Sequence, residues 1–499
     1  MARAQKDSAA DLKQSALRSL KHKLKDQVST DAEVCRLEGL DSARLVFQPS
    51  AVIFAKAPED IGVVLRIANK HRVAVTVRGA GSSTTGAASP SNGGWALDLT
   101  QLNRIEVDKL SGMAHVQVGA VTEEINAEAE KAGWFYPPDP SSKKHSTIGG
   151  NIATNAGGLR GAKYGVTRDY VFGLEGFLPT GEFVRWGAPL RKYASGYNIR
   201  DLWIGSEGML GVVTAATLKL IPKPEIRKTF LFGFSTERKA LNAAQELIKK
   251  RLMPAVMEFM DRQTVSCALK RRADTGIAGN VLLDSVVSQF RRPPALLLIE
   301  LDGTKVGVKA EAKALMEILD AKQTPCSKAR NEREAEALWE VRRTCSQAMF
   351  QMGDTKLNED VVVPVRSYHK LLDYTLELKK ETGLATPTFG HAADGNFHVH
   401  LMFNHQDPKQ RKNAERGVRL LMEKVVELGG AITGEHGIGL AKSPFMALQH
   451  SPEEIATMRK IKEVFDPNNI LNPGKMFEPF EMWKHPRDYA TRFPWDKKH

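Results

Sequence analysis

Pro137-Pro138-Asp139-Pro140-Ser141-Ser142 opens a stretch that resumes, after Lys143-Lys144-His145, as Ser146-Thr147-Ile148-Gly149-Gly150-Asn151-Ile152-Ala153-Thr154-Asn155-Ala156-Gly157-Gly158. Small residues dominate it, so its backbone is built to approach something flat or polar very closely. Two flanking segments share the character. Arg78-Gly79-Ala80-Gly81-Ser82-Ser83-Thr84-Thr85-Gly86 follows an apolar run, and Gly205-Ser206-Glu207-Gly208-Met209-Leu210-Gly211-Val212-Val213-Thr214 leads into another. Glycines let successive amides converge on an anion, and Ser and Thr hydroxyls add donors. The segment from Arg78 lacks the GK[ST] of a Walker loop and the GxGxxG of a dinucleotide fingerprint, and alone it reads equally well as a structural turn. Three such loops within one region point to a large cofactor with a pyrophosphate.

Around these loops the chain alternates strand and helix. Residues 52–55 are a short apolar strand, Pro58-Glu59-Asp60 opens a helix carrying Val63, Val64, Ile67 and Ala68, and residues 73–77 form a second strand. That alternation predicts a layered α/β region. Upstream, Leu12, Leu17, Leu20 and Leu24 space a helix over residues 12–30. After Arg227 the chain becomes helix-rich and charged, with a strand at 296–301 between helical runs at 305–320 and 331–352, which reads as an α+β second domain. Glycines return near Gly429, the stretch from Phe465 to Lys475 is rich in turns, and residues 479–499 form a basic aromatic tail with Trp483 and Trp495.

Bulk composition excludes several classes. With 499 residues, 42% hydrophobic and 26% charged, the chain is long enough for two or three cored domains. It has no stretch of about 20 apolar residues for a membrane helix, and its first thirty residues lack the apolar core of a secretory signal. Cys35, Cys267, Cys326 and Cys345 form no CxxC pair, so neither an iron–sulfur cluster nor a disulfide framework is expected, and a reducing cytoplasm fits. Lys and Arg exceed Asp and Glu by 71 to 58, a net +13. The basic runs are short and carry no nucleic-acid motif, so they read as solvated faces and no nucleic-acid partner is expected.

Gly390-His391-Ala392-Ala393-Asp394-Gly395-Asn396-Phe397-His398-Val399-His400 and Gly434-Glu435-His436-Gly437-Ile438-Gly439 gather four histidines and a glutamate in two glycine-framed segments. Neutral imidazole with carboxylate suits Zn²⁺, Mn²⁺ or Fe²⁺. The spacing is not that of a zinc finger, and ordinary hydrogen bonding around a turn explains it equally well.

RGAGSSTTG, PPDPSSKKHSTIGGNIATNAGG and GSEGMLGVVT resemble, in order and spacing, the FAD domain of the vanillyl-alcohol oxidase superfamily. The closer likeness is to its branch of D-lactate dehydrogenases, glycolate oxidase D subunits and D-2-hydroxyglutarate dehydrogenases, and it runs from about Phe47 to Phe477. The resemblance implies an α+β chain: a two-subdomain FAD-binding fold with an α+β cap. Its expected division is a helical extension (1–45), an FAD domain (46–225), a cap with the metal site (226–430), a segment returning to the flavin (431–478) and the tail. By the same likeness Arg78, Gly79, Ala80, Gly81, Ser82, Ser83 and Thr84 hold the pyrophosphate. Pro138, Asp139, Ser142, Gly149, Gly150, Asn151, Thr154, Asn155 and Gly157 line the flavin, Val212 meets its adenine end, and Glu207 and Asn472 join the cofactor set. Some relatives tether the flavin to a histidine in the first loop; residues 78–86 contain none, so non-covalent FAD is expected.

The two histidine motifs resemble that family's metal motifs, which implies His391, His398 and Glu435 as ligands and His436 as the base. His400 matches no family ligand and reads as structural, while Asp394 and Asn396 are expected to orient the ligands. Arg342 stands where the family places a substrate arginine, suited to gripping a carboxylate through two hydrogen bonds. Relatives that use 2-hydroxyglutarate carry a lysine at the position of Asn358, and Lys356 is two residues away. The expected activity is oxidation of a small D-2-hydroxy acid, D-lactate or glycolate foremost, with hydride passing to flavin N5. The alternatives are a D-2-hydroxyglutarate dehydrogenase and a non-catalytic flavin-binding partner subunit. A quinone, an electron-transfer flavoprotein or a partner subunit is the expected acceptor, and peripheral contact with the inner membrane and a homo-oligomer complete the expectations.

Overall fold

The computed structural model describes residues 9–274 and 280–493. Trp495 of the tail, and residues 1–8 of the N-terminal extension, lie outside the described residues. The chain divides into two compact units. One holds the described residues up to Gly158, Val166–Pro222 and the described residues from Glu435; the other holds Leu159–Gly165 and Lys223–Gly434.

The first unit contains a four-stranded sheet in the order Val28–Ser29, Ala51–Phe54, Trp95–Asp98, Val75–Arg78. The last three strands are parallel, with Val75 opposite Trp95 and Arg78 opposite Asp98. Helix Pro58–His71 makes the crossover and buries Ile61, Val64, Leu65 and Ala68 against Ala16, Leu20 and Leu24 of helix Ala9–Leu24. The N-terminal helix is shorter than its leucine spacing predicts: it tightens into a single turn at Lys25–Gln27, and Lys25 has φ 49°. Because the strand Val75–Arg78 is parallel, the loop from Gly79 leaves its carboxyl end, the side on which open parallel sheets bind ligands. A five-stranded antiparallel sheet lies beside it in the order Ile105–Asp108, Met113–Gln117, Val212–Lys219, Val171–Phe177, Phe183–Gly187. The tail packs back on the unit, with Val46 N–H donating to the Pro486 carbonyl and the Phe47 and His485 rings stacked 4.2 Å apart.

The second unit is built on a seven-stranded antiparallel sheet in the order Cys326–Lys328, Ile226–Phe234, Ala295–Gly303, Val256–Met260, Thr388–His391, Asn396–Phe403, Thr355–Val362. The sequence pattern shows one of these strands clearly. The others escape it because Asn396–Phe403 and Val256–Met260 are buried on both faces and set His and Glu among apolar residues, which erases a polar–apolar alternation. Helix Glu332–Ala348 covers one face of the sheet through Leu338, Val341 and Cys345, which pack with Leu231, Met260, Leu296, Leu298, Phe389 and Met402.

Candidate functional site

In the first unit the three glycine loops converge on a cleft of about 1360 Å³, counted with its open mouth. Gly79 and Thr147 show why the loops need glycine: a Cβ on Gly79 would sit 2.2 Å from Thr147 Oγ1. Of the expected cofactor residues, Arg78, Gly79, Ala80, Gly81, Ser82, Ser83, Thr84, Ser142, Gly149, Gly150, Asn151, Thr154, Glu207 and Val212 line the cleft. None of the main-chain amides from Gly79 to Thr84 donates a hydrogen bond among the described residues, so six consecutive N–H groups stand at the cleft wall. That is the donor set an anion such as a pyrophosphate requires.

The remaining expected cofactor residues surround this lining. The Arg78 guanidinium pairs with Glu38 Oε2 at 2.6 Å and donates to the carbonyls of Glu38 and Leu40 at 2.9 Å, so it ties the N-terminal segment to the loop base. Pro138, Asp139, Asn155, Gly157 and Asn472 are not lining residues. Several of them shape the loops from behind. Asn155 takes the left-handed conformation that ends helix Ile148–Thr154 and accepts from Arg168 N–H at 2.9 Å. Asn472 donates to the Glu207 carbonyl at 2.7 Å, and its N–H reaches the Val75 carbonyl.

Glu435 and His436 also line this cleft. The turn that carries them is pinned by Glu207, whose carboxylate accepts from Ile438 N–H at 2.6 Å and Gly439 N–H at 2.9 Å. Burial raises the Glu207 pKa, and the two amides hold it back. Gly437 has φ 76°, and a Cβ there would lie 2.8 Å from Glu207 Oε1, so the motif needs its glycine. Sequence reasoning missed Lys475. It is buried beneath the first loop, donates to the Ala87 carbonyl at 2.5 Å and to Asn472 Oδ1 at 3.1 Å, and burial lowers its pKa to about 7.

In the second unit one face of the sheet carries a polar row. Cross-strand register sets Glu258 opposite His391, His391 opposite Asn396, and His398 between Phe389 and Asp360. The rings of His391 and His398 are edge to face, 5.4 Å between centroids. Glu258, which the sequence reading overlooked, is fully buried and bridges two of the expected site residues. Oε2 receives Arg342 Nε–H at 2.5 Å, and Oε1 receives His391 Nδ1–H. Burial alone would raise the Glu258 pKa, but its contacts with His391 and the Arg342 guanidinium outweigh it and push it down to about 2. A lone acidic residue inside the buried run Val-Met-Glu-Phe-Met is the signal that was available, since a charge so placed requires a partner.

Arg342 is neither exposed nor idle: its Cζ stacks 4.0 Å over the Phe389 ring. Its two terminal nitrogens donate no hydrogen bond among the described residues. Asn396 donates to Asp360 Oδ1 at 2.6 Å and to the Val361 carbonyl at 3.0 Å. The expectation that it orients the histidines is therefore corrected, because the carboxylate on His391 is that of Glu258. Asp360 also accepts from Thr433 Oγ–H and Gly434 N–H, both at 2.9 Å, which anchors the chain one residue before Glu435. His400 donates from Nδ1 to the Pro387 carbonyl at 3.1 Å; burial and the nearby Lys356 lower its pKa well below the usual range, so it is neutral.

Comparison with known proteins matches two family descriptions: an FAD binding domain over residues 49–187, and the C-terminal domain of FAD linked oxidases over residues 223–476. The chain is 38% identical to the glycolate oxidase subunit GlcD of Bacillus subtilis, over 86% of this chain and 89% of that one. It is 35% identical to a D-lactate dehydrogenase of Anaerostipes hadrus, over 86% and 90%. Among solved structures, p-cresol methylhydroxylase with substrate bound superimposes with a TM-score of 0.76 at 16% identity, covering 94% of this chain and 97% of that one, a likeness of fold. Among the described residues, no helix is long and apolar enough to cross a membrane.

Proposed function

The chain belongs to the FAD-linked oxidases, and from that premise we propose that it oxidises a small D-2-hydroxy monocarboxylate, of the D-lactate and glycolate type, to the 2-oxo acid. The observation that carries the proposal is the Glu258 bridge, which sets a carboxylate-binding cation and a tautomer-fixed imidazole side by side. Arg342 spends one N–H on Glu258 and keeps the N–H groups of both terminal nitrogens for a substrate carboxylate. Glu258 holds the His391 proton on Nδ1, so Nε2 offers its lone pair.

The six amides of Gly79–Thr84 would hold the FAD pyrophosphate. FAD, when bound, supplies the hydride acceptor. His391 and His398, with Glu435 beyond the anchored Gly434, would supply the N,N,O donor set of Zn²⁺, Mn²⁺ or Fe²⁺, an ion that would lend Lewis acidity to the substrate hydroxyl. His436, on the turn pinned by Glu207, takes the proton from that hydroxyl. The electrons leave through a quinone, an electron-transfer flavoprotein or a partner subunit; the Bacillus subtilis relative is itself named as a subunit.

Dye-coupled turnover of the holoenzyme tests the reading. D-lactate should reduce an artificial acceptor, and Arg342→Lys should raise KM for D-lactate by about tenfold or more, because an ammonium cannot reproduce the planar two-point grip. A fully active Arg342→Lys enzyme would remove the carboxylate assignment.

A further inference from the structure

Two residues beyond His398 on the same face of the cap sheet, Lys356, Asn358 and His400 form a polar patch that the reaction as described does not use. Lys356 and Asn358 alternate along Thr355–Val362 and therefore share a face, and Asn358 is directly opposite His400. The patch adjoins the site through Phe389, whose ring meets Arg342, His398 at 5.5 Å and His400 at 4.8 Å between centroids.

Its hydrogen-bonding inventory is specific. His400 is fully buried and donates from Nδ1 to a carbonyl, the tautomer whose Nε2 is an acceptor. That atom is buried and has no hydrogen-bond partner among the described residues, and the same holds for Asn358 Oδ1. Lys356 Nζ donates to Ser346 Oγ at 2.5 Å and to the Ser346 carbonyl at 3.2 Å, which uses two of its three N–H groups. The patch thus offers two buried acceptor atoms and one donor, on a face where His400 is buried and Lys356 and Asn358 are half-buried. A hydroxyl, which donates and accepts, satisfies it. A methyl leaves all three unmet, and a carboxylate, which only accepts, would be set against His400 Nε2 and Asn358 Oδ1. Rotating the Asn358 amide exchanges its acceptor for a donor, yet His400 still calls for a group that donates.

We propose that Lys356, Asn358 and His400 are specificity-determining residues for a second hydroxyl, so that the substrate is a 2,3-dihydroxy acid of the glyceric acid class. Residues 398 and 400 are separated by about 7 Å along the strand, so the patch is the next row of side chains beyond His398 on that face. The proposal rests on the 2-hydroxy acid reading above and narrows it.

The test is kcat/KM of the holoenzyme for D-glycerate, D-lactate and D-2-hydroxyglutarate. Sites built to hydrogen-bond a substrate hydroxyl strongly reject the analogue that lacks it. D-glycerate should therefore exceed D-lactate by about tenfold or more, and the ratio should collapse toward one in Asn358→Leu and in His400→Phe. Because a structural defect lowers both rates together, the ratio reports the subsite. If either variant fails to fold, anaerobic flavin reduction by the three acids in wild type gives the same ranking. D-lactate equal to or better than D-glycerate overturns the subsite alone. D-2-hydroxyglutarate ahead of both overturns it in favour of a charge pair with Lys356. Flavin reduction by none of the three overturns the subsite together with the reading beneath it.

Discussion

Replacing Glu258 by Gln keeps the shape of the side chain and removes the charge on which Arg342 and His391 both depend. The glutamine oxygen can accept from one of them, but its amide then faces an N–H of the other, donor against donor. Arg342 is left 13% exposed beside a neutral partner. Breaking a buried pair from one side costs about 3–5 kcal/mol, and freeing the imbalance at His391 weakens metal binding by about 10- to 100-fold. The pH dependence has a definite sign. The folded-state pKa of Glu258, about 2, lies below its ordinary 4.5, so the stabilisation is complete above pH 4.5 and lost as pH falls toward 2. The assay is the unfolding midpoint of wild type and Glu258→Gln at neutral pH and at stepwise lower pH, with bound metal measured alongside. The variant should be markedly less stable at neutral pH, and the gap should close as the wild-type carboxylate is protonated. Equal midpoints at neutral pH with metal affinity unchanged within twofold would refute the bridge as the organiser of this face.

Three further outcomes follow from the same structure. The purified protein should be yellow and should release its FAD on acid precipitation, since residues 78–86 hold no histidine; flavin retained on the denatured chain would contradict this. Chelation, or His398→Ala, should abolish turnover while the flavin absorbance stays, because the six-amide cradle is made of other residues; full activity in metal-stripped protein would remove the ligand assignment. D-lactate should outperform D-2-hydroxyglutarate, and Asn358→Lys should narrow the difference, because an unpaired carboxylate in a partly dry site costs several kcal/mol by order of magnitude. A tenfold wild-type preference for the dicarboxylate, about 1.4 kcal/mol, would show that Lys356 already serves it.

The glycine loops were legible because each function of a small residue there, tight approach at Gly79 or the φ 76° of Gly437, leaves a composition that chance rarely produces. The fold type followed from the family resemblance that the three loops carry in order. Glu258 and Asp360 were not legible in the same way. Each is a single acidic residue in a strand, and only the register that sets Glu258 opposite His391 and Asp360 opposite His398 reveals what it serves. The same register shows what a two-residue offset means within a strand. Lys356 and Asn358 point to one face, so the lysine that seemed misplaced lies in the same polar patch. Arg78 shows the complementary case: a basic residue at the mouth of a phosphate loop invites an anion, while Glu38, forty residues upstream in a different element, pairs with its guanidinium.

Anaerobic titration of the holoenzyme with paired D and L enantiomers of small 2-hydroxy acids tests the central claim most directly. The D acid should bleach the yellow flavin band stoichiometrically and the L acid should leave it unchanged. A flavin that stays oxidised with every acid, in protein retaining its FAD and metal, would contradict the assignment of this chain as a D-2-hydroxy acid dehydrogenase.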